Sequence, residues 1–130
     1  MARLIDSRRE GAIFRSSAVR AWGQRVTREI GAAAADYALW RLRAYNASDF
    51  RYDAGPKTGT HSRGYKIINR GYSEVINSAV SANWLEGTGS RNARSRFKGY
   101  HHWRRALADV ERAAVRIADQ VVARALRQLN

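Results

Sequence analysis

The chain has 130 residues, 45% of them apolar, which suits one domain with a modest core. Lys and Arg number 24 against 11 Asp and Glu, a formal charge of +13, so polyanions or an acidic protein surface are the expected partners. There is no cysteine, which excludes disulfides, thiolate nucleophiles and cysteine-ligated metals.

Nearly all the cations are arginine, only Lys57, Lys66 and Lys98 being lysine. Arginine suits planar contacts to phosphate and carboxylate; codon bias in a GC-rich genome would give the same composition and the alanine runs with it. The opening MARLIDSRREGAIF lacks the apolar run of ~7–15 residues found in signal peptides. No window reaches the ~18 apolar residues of a membrane span. A soluble, non-secreted protein with no membrane partner is expected, and the sequon at Asn46 then carries no meaning.

Residues 1–15 carry Arg3, Arg8, Arg9 and Arg15 among a few apolar positions and read as a short arm. Ser16 or Ser17 can cap the helix that follows. Over 17–46, Val19, Trp22, Val26, Ile30, Ala33, Tyr37 and Trp40 recur at spacings of three and four, one face of an α-helix. Gly23 and Gly31 lie inside this pattern and mark either a bend or a close helix approach. Arg25 can pair with Glu29 at i,i+4.

A β region spans 49–78. Phe50 and Tyr52 alternate with polar residues as a short strand, Gly55-Pro56 stops it, and 56–64 reads as an exposed polar loop. Residues 65–68 then form a strand, Asn69-Arg70-Gly71 a turn and 74–77 the antiparallel mate. Ile76, Val80 and Trp84 are also four apart, so a helix could begin near Ser73; the expectation is a strand to about Ser78 and a short helix over 79–87. A loop over 88–101 precedes a final helix over 102–128, with Trp103, Leu107, Val110, Ala114, Ile117 and Val121 on its apolar stripe. The fold class is α+β: two long helices flanking a small antiparallel sheet with a hairpin. Such long helices overhang a small sheet, and overhanging apolar surface points to oligomerisation.

The stretch from Arg91 to Arg105, RNARSRFKGYHHWRR, holds six basic side chains, three aromatics, two histidines and no acid. It reads as a mobile cationic loop made to touch an anionic partner or another copy of the chain. Its candidate contact residues are Arg91, Arg94, Arg96, Phe97, Lys98, Tyr100, Arg104 and Arg105. In a small nucleic-acid-binding domain the cations would meet phosphates and Phe97 or Tyr100 would stack on bases. No recognisable DNA- or RNA-reading motif accompanies them.

Catalytic constellations are sparse. Of His61, His101 and His102, the adjacent pair would point roughly 100° apart on a helix and cannot share a metal as an i,i+4 pair can. These two are expected to cap or precede the last helix and to add to the loop's positive field. Glu74 and Glu86 have no carboxylate at a useful spacing, so no general acid–base pair is evident. The stretch 59–66 resembles a phosphate-binding loop, but Tyr65 follows the second glycine where Lys is required. No cofactor is expected. Trp22, Trp40 and Trp103 lie on apolar stripes and read as core or interface.

From Ser78 a small-residue helix runs into the turn Trp84-Leu85-Glu86-Gly87-Thr88, a variable loop follows, and Trp103-Arg104-Arg105-Ala106-Leu107 opens the last helix. This order resembles the tail-completion, or head–tail joining, proteins of long-tailed bacteriophages, the gene-product-ten-like family. Thr58-Gly59 and the hairpin occupy the places of that family's Thr-Gly loop and β-hairpin. The sequence departs from the pattern where Glu86 abuts Gly87 without an aromatic between them, and where His101-His102 replaces a proline. The resemblance implies a non-enzymatic virion protein at the neck or tail end, present in the host cytoplasm during assembly. It implies a homo-oligomeric ring, six- or twelve-fold, between neighbouring neck, connector or tail proteins and around the DNA passage. The cationic loop would face DNA or an acidic neighbouring ring; the ring suits better, because an arginine-lined conduit would hold DNA rather than let it slide.

Overall fold

The computed structural model describes residues 17–49, 64–79 and 81–129. The expected arm over 1–15, the strand over 50–53 and all but the last residue of the 56–64 loop lie outside the described residues. In chain order the elements are α1 (Ser17–Asp49), β1 (Tyr65–Asn69), β2 (Ser73–Asn77), α2 (Ala82–Glu86), a 3-10 turn (Asn92–Arg94) and α3 (His102–Arg127). The α+β class read from the sequence is the class observed. The short helix is smaller than its expected span of 79–87, and α1 continues past residue 46 to Asp49.

At 33 residues α1 is about 50 Å long. Its run Ala32 to Ala35 favours helix strongly. A methyl group on Gly23 or Gly31 would meet nothing within 4 Å, so neither glycine serves a close helix approach. Val26, near the start of α1, packs with Val121 and Ala125 near the end of α3, while Leu42 packs with Ala106 near the start of α3. The helices therefore run antiparallel, with one apolar cluster at each end. Burying a side chain such as Leu42, at 0% exposure, contributes roughly 1.5–3 kcal/mol.

The hairpin packs against the second cluster. Its register pairs Tyr65 with Asn77, Ile67 with Val75 and Asn69 with Ser73, which puts Tyr65, Ile67 and Val75 on one face. Tyr65 and Val75 pack with Leu42. Gly71, at φ 82°, makes the turn expected at 69–71.

Two expectations about faces need correction. The buried line of α3 is His102, Ala106, Asp109, Ala113, Ile117, Val121 and Ala125, and Leu107, on the expected stripe, is 59% exposed. In the first half of the helix the buried line is displaced by one residue towards the N-terminus. Small alanines let α3 lie close to α1, and His102 and Asp109 are buried because α1 supplies their polar partners. Likewise Trp22, Val26, Ile30 and Ala33 pack as the α1 stripe predicts, but Trp40 is 59% exposed. α1 is covered on one flank by α3 and on another by the hairpin, so no single stripe describes it.

Candidate functional site

The segment from Trp84 to Arg105 is a built structure rather than a mobile loop. Gly87, at φ 100°, ends α2, and the N–H groups of Gly87, Thr88 and Gly89 all point to the Asn83 carbonyl at 3.0–3.1 Å. Gly99, at φ 95°, lies against this turn; a Cβ on it would stand 2.3 Å from the Glu86 carbonyl oxygen. The Tyr100 N–H donates to the Leu85 carbonyl at 2.7 Å and ties the strand of the loop to α2.

Asn92 is the hub of the segment, and nothing in the sequence pattern singles it out. At 3% exposure, its side-chain amide donates to the carbonyls of Trp84 (3.0 Å) and Phe97 (3.3 Å), and its oxygen accepts from the Gly89 N–H at 3.0 Å. The only cue in the sequence is an asparagine between turn residues.

The eight expected contact residues do not form one set. Arg91 stacks over Trp84 at 5.4 Å. The Lys98 ammonium donates to the carbonyls of Asn92 and Ala93 at 3.0 and 3.2 Å, closing the 3-10 turn. Arg105 binds Asp49 at 3.1 Å and lies over Tyr45 at 3.9 Å. Phe97 packs between Trp84 and Tyr100, 5.1 Å from each, and is half-buried with Tyr100. These two rings form a small core rather than an open stacking platform. Of these eight, Arg94, Arg96 and Arg104 present exposed guanidinium groups without a partner among the described residues.

Glu86 and Gly87 act in the turn itself. The Glu86 carboxylate accepts from the N–H groups of Trp103 (2.9 Å) and Arg104 (3.2 Å), the first free donors of α3. His101, in the left-handed region at φ 55°, makes no side-chain cap, so Glu86 supplies the cap from another helix. Thr88 is exposed and contributes its N–H to the turn.

His102 is not part of the loop's positive face. At 2% exposure, it meets Asp49 at 2.6 Å and lies between the rings of Tyr45 and Tyr100, stacked at 6.5 and 5.4 Å. The His102–Asp49 pair fastens the end of α1 to the start of α3.

A second polar node joins the two helices. Asp109 accepts from the Tyr45 hydroxyl at 2.5 Å and from Arg41 at 2.8 Å, and Arg112 binds its other oxygen. The Tyr45 and Arg41 hydrogen bonds hold the Asp109 carboxyl below the usual carboxylate range, and the hydrogen bonds that Arg41 donates to the Tyr45 hydroxyl (3.1 Å) and to Asp109 raise Arg41. Burial raises the Tyr65 hydroxyl. Among the described residues no group of three or more His, Asp or Glu is placed to hold a metal, and no helix is long and apolar enough to cross a membrane. Comparison of the chain with protein-family models, with curated proteins and with solved structures finds no match.

Proposed function

We propose that this chain is a structural subunit of a tailed-phage virion, forming a ring at the neck or tail end as a head–tail connector or tail-completion protein. The carrying observation is the apolar surface that one chain leaves uncovered: Leu107, Val115 and Leu126 on α3 and Leu129 just after it are 50–74% exposed, and Trp40 on α1 is 59% exposed. Surface of this kind is completed by other protein. The polar groups with most chemical capacity, His102 and Asp109, are buried in inter-helix pairs, which favours a scaffold over a catalyst. The resemblance of the 84–88 turn and the 103–107 segment to the tail-completion family supplies the virion context. In that family-like turn Glu86 has a physical role, since it starts the terminal helix.

The test is mass by light scattering, alone and with co-expressed portal and tail-tube proteins. The expected result is a complex containing several copies of the 14.7 kDa chain. A clean monomer under every condition sinks the reading.

The three free guanidinium groups of Arg94, Arg96 and Arg104 favour a second reading, polyanion binding, now carried by three side chains and without base stacking. Each phosphate contact gives a slope in log K against log salt of about 0.9 on duplex DNA, so replacing all three by Ala should flatten the slope by about 2.7. Negligible binding at low salt eliminates this second reading.

A further inference from the structure

We infer that copies of this chain join head to tail, Trp40 of one copy entering an apolar groove between α1, β2 and α3 of the next. The inference deepens the assembly reading above and rests on it only for the premise that the chain associates with itself.

The groove has a volume of about 360 Å³ and is open on one side. Ala35, Ala38 and Leu42 form its α1 wall, Val75 its hairpin wall, and Trp103 and Val110 its α3 wall, with Leu107 at the rim. Small residues on α1 and large ones opposite leave a slot suited to one flat aromatic side chain. Trp40 stands two residues from both Ala38 and Leu42, hence about 160° around α1 from them. The knob and the groove therefore lie on opposite sides of one helix. Its indole is already positioned by Tyr37, with ring centroids 5.6 Å apart, and by the Arg41 guanidinium at 5.2 Å. A large aromatic that is exposed and held in place is the kind of side chain that dominates interfaces.

Charge decides the occupant. Asp36 and Arg43 flank Trp40 at four residues before and three after, on the same face of α1. Arg104 and Glu111 flank Leu107 at three before and four after, on the outer side of α3. All four side chains are exposed and carry no ion pair among the described residues. Each pair spans seven residues, about 10 Å of helix. Laid parallel, α1 of one copy would put Asp36 against Arg104 and Arg43 against Glu111, while Trp40 meets the groove beside Leu107. In a chain of net charge +13 these unpaired acids locally offset the repulsion between copies. Because the two patches differ, the contact is heterologous; it closes into a ring when the rotation permits and otherwise runs on as a filament.

The absence of native cysteine makes cross-linking a clean test. Arg43→Cys and Glu111→Cys chains, mixed under mild oxidant, should give a mixed disulfide dimer that neither variant forms alone. Sedimentation should show association weakened at least tenfold by Trp40→Ala and by Arg43→Glu, with Glu111→Arg restoring the latter in the double variant. Circular dichroism should be unchanged, since the substituted positions are exposed. If the wild-type chain assembles but these substitutions leave it unaffected, or each cysteine variant links only to itself, the contact is overturned and the assembly reading stands. A wild-type chain that stays monomeric at every concentration overturns the contact, and its behaviour with portal and tail-tube proteins then decides the assembly reading.

Discussion

Glu86, the last residue of α2, accepts a 2.9 Å hydrogen bond from the backbone N–H of Trp103, in the first turn of α3. A carboxylate placed there satisfies orphan donors and meets the positive end of the helix. Glu86→Ala should therefore cost about 1–2 kcal/mol of unfolding free energy by urea titration. Glu86→Gln should lose less, because the amide oxygen still accepts. Equal losses would show that the negative charge alone, and not the accepted hydrogen bonds, supports the start of α3.

Gly71 and Gly99 both have positive φ, but their surroundings differ. Gly71 is in open space, whereas a Cβ on Gly99 would sit 2.3 Å from the Glu86 carbonyl oxygen. Gly71→Ala should cost only the left-handed strain, roughly 1–2 kcal/mol. Gly99→Ala adds a backbone clash and should exceed it by about 1–3 kcal/mol. Thermal melts of the two variants make the comparison directly.

Asn92 holds the cationic segment through three side-chain hydrogen bonds to backbone. Asn92→Ala would leave the Trp84 and Phe97 carbonyls and the Gly89 N–H short of a partner, at about 1–3 kcal/mol. The loss should fall locally. Trypsin should cut after Arg94 and Arg96 several-fold faster in this variant while the circular dichroism spectrum persists.

Asp109 links stability to pH. Its folded pKa lies below the unfolded value of about 3.9 because Tyr45 and Arg41 hydrogen-bond the ionised form. A depressed carboxyl stabilises the fold above the unfolded pKa and loses that contribution as pH falls through the folded one. The stability gap between wild type and Asp109→Asn should be full at pH 7 and narrow progressively below about pH 4. Urea unfolding at pH 7, 4 and 3 measures it; a constant gap would mean the carboxylate's ionisation is irrelevant.

Local chemistry made the hairpin and both long helices legible from the sequence. Tyr65 to Ile68, the glycine of the 69–71 turn and the three-and-four spacing along α1 and α3 act through neighbouring residues, and periodicity reports such effects. The 91–105 segment was legible as cationic, but not as half-committed to its own structure: Lys98, Arg91 and Arg105 are spent on carbonyls, Trp84 and Asp49.

What the sequence determined by itself was the class of the fold, the order of its elements and the excess of positive charge. Tertiary structure alone decided which helix faces meet and what the isolated polar residues do. His102 finds Asp49 across 53 positions and Tyr45 finds Asp109 across 64, separations that carry no periodic trace. A stripe records where apolar side chains recur, but the contact face of α3 follows the shape of an alanine-lined neighbour. Small residues allow close approach there, so Leu107 and Trp40 remain outside, available to another chain.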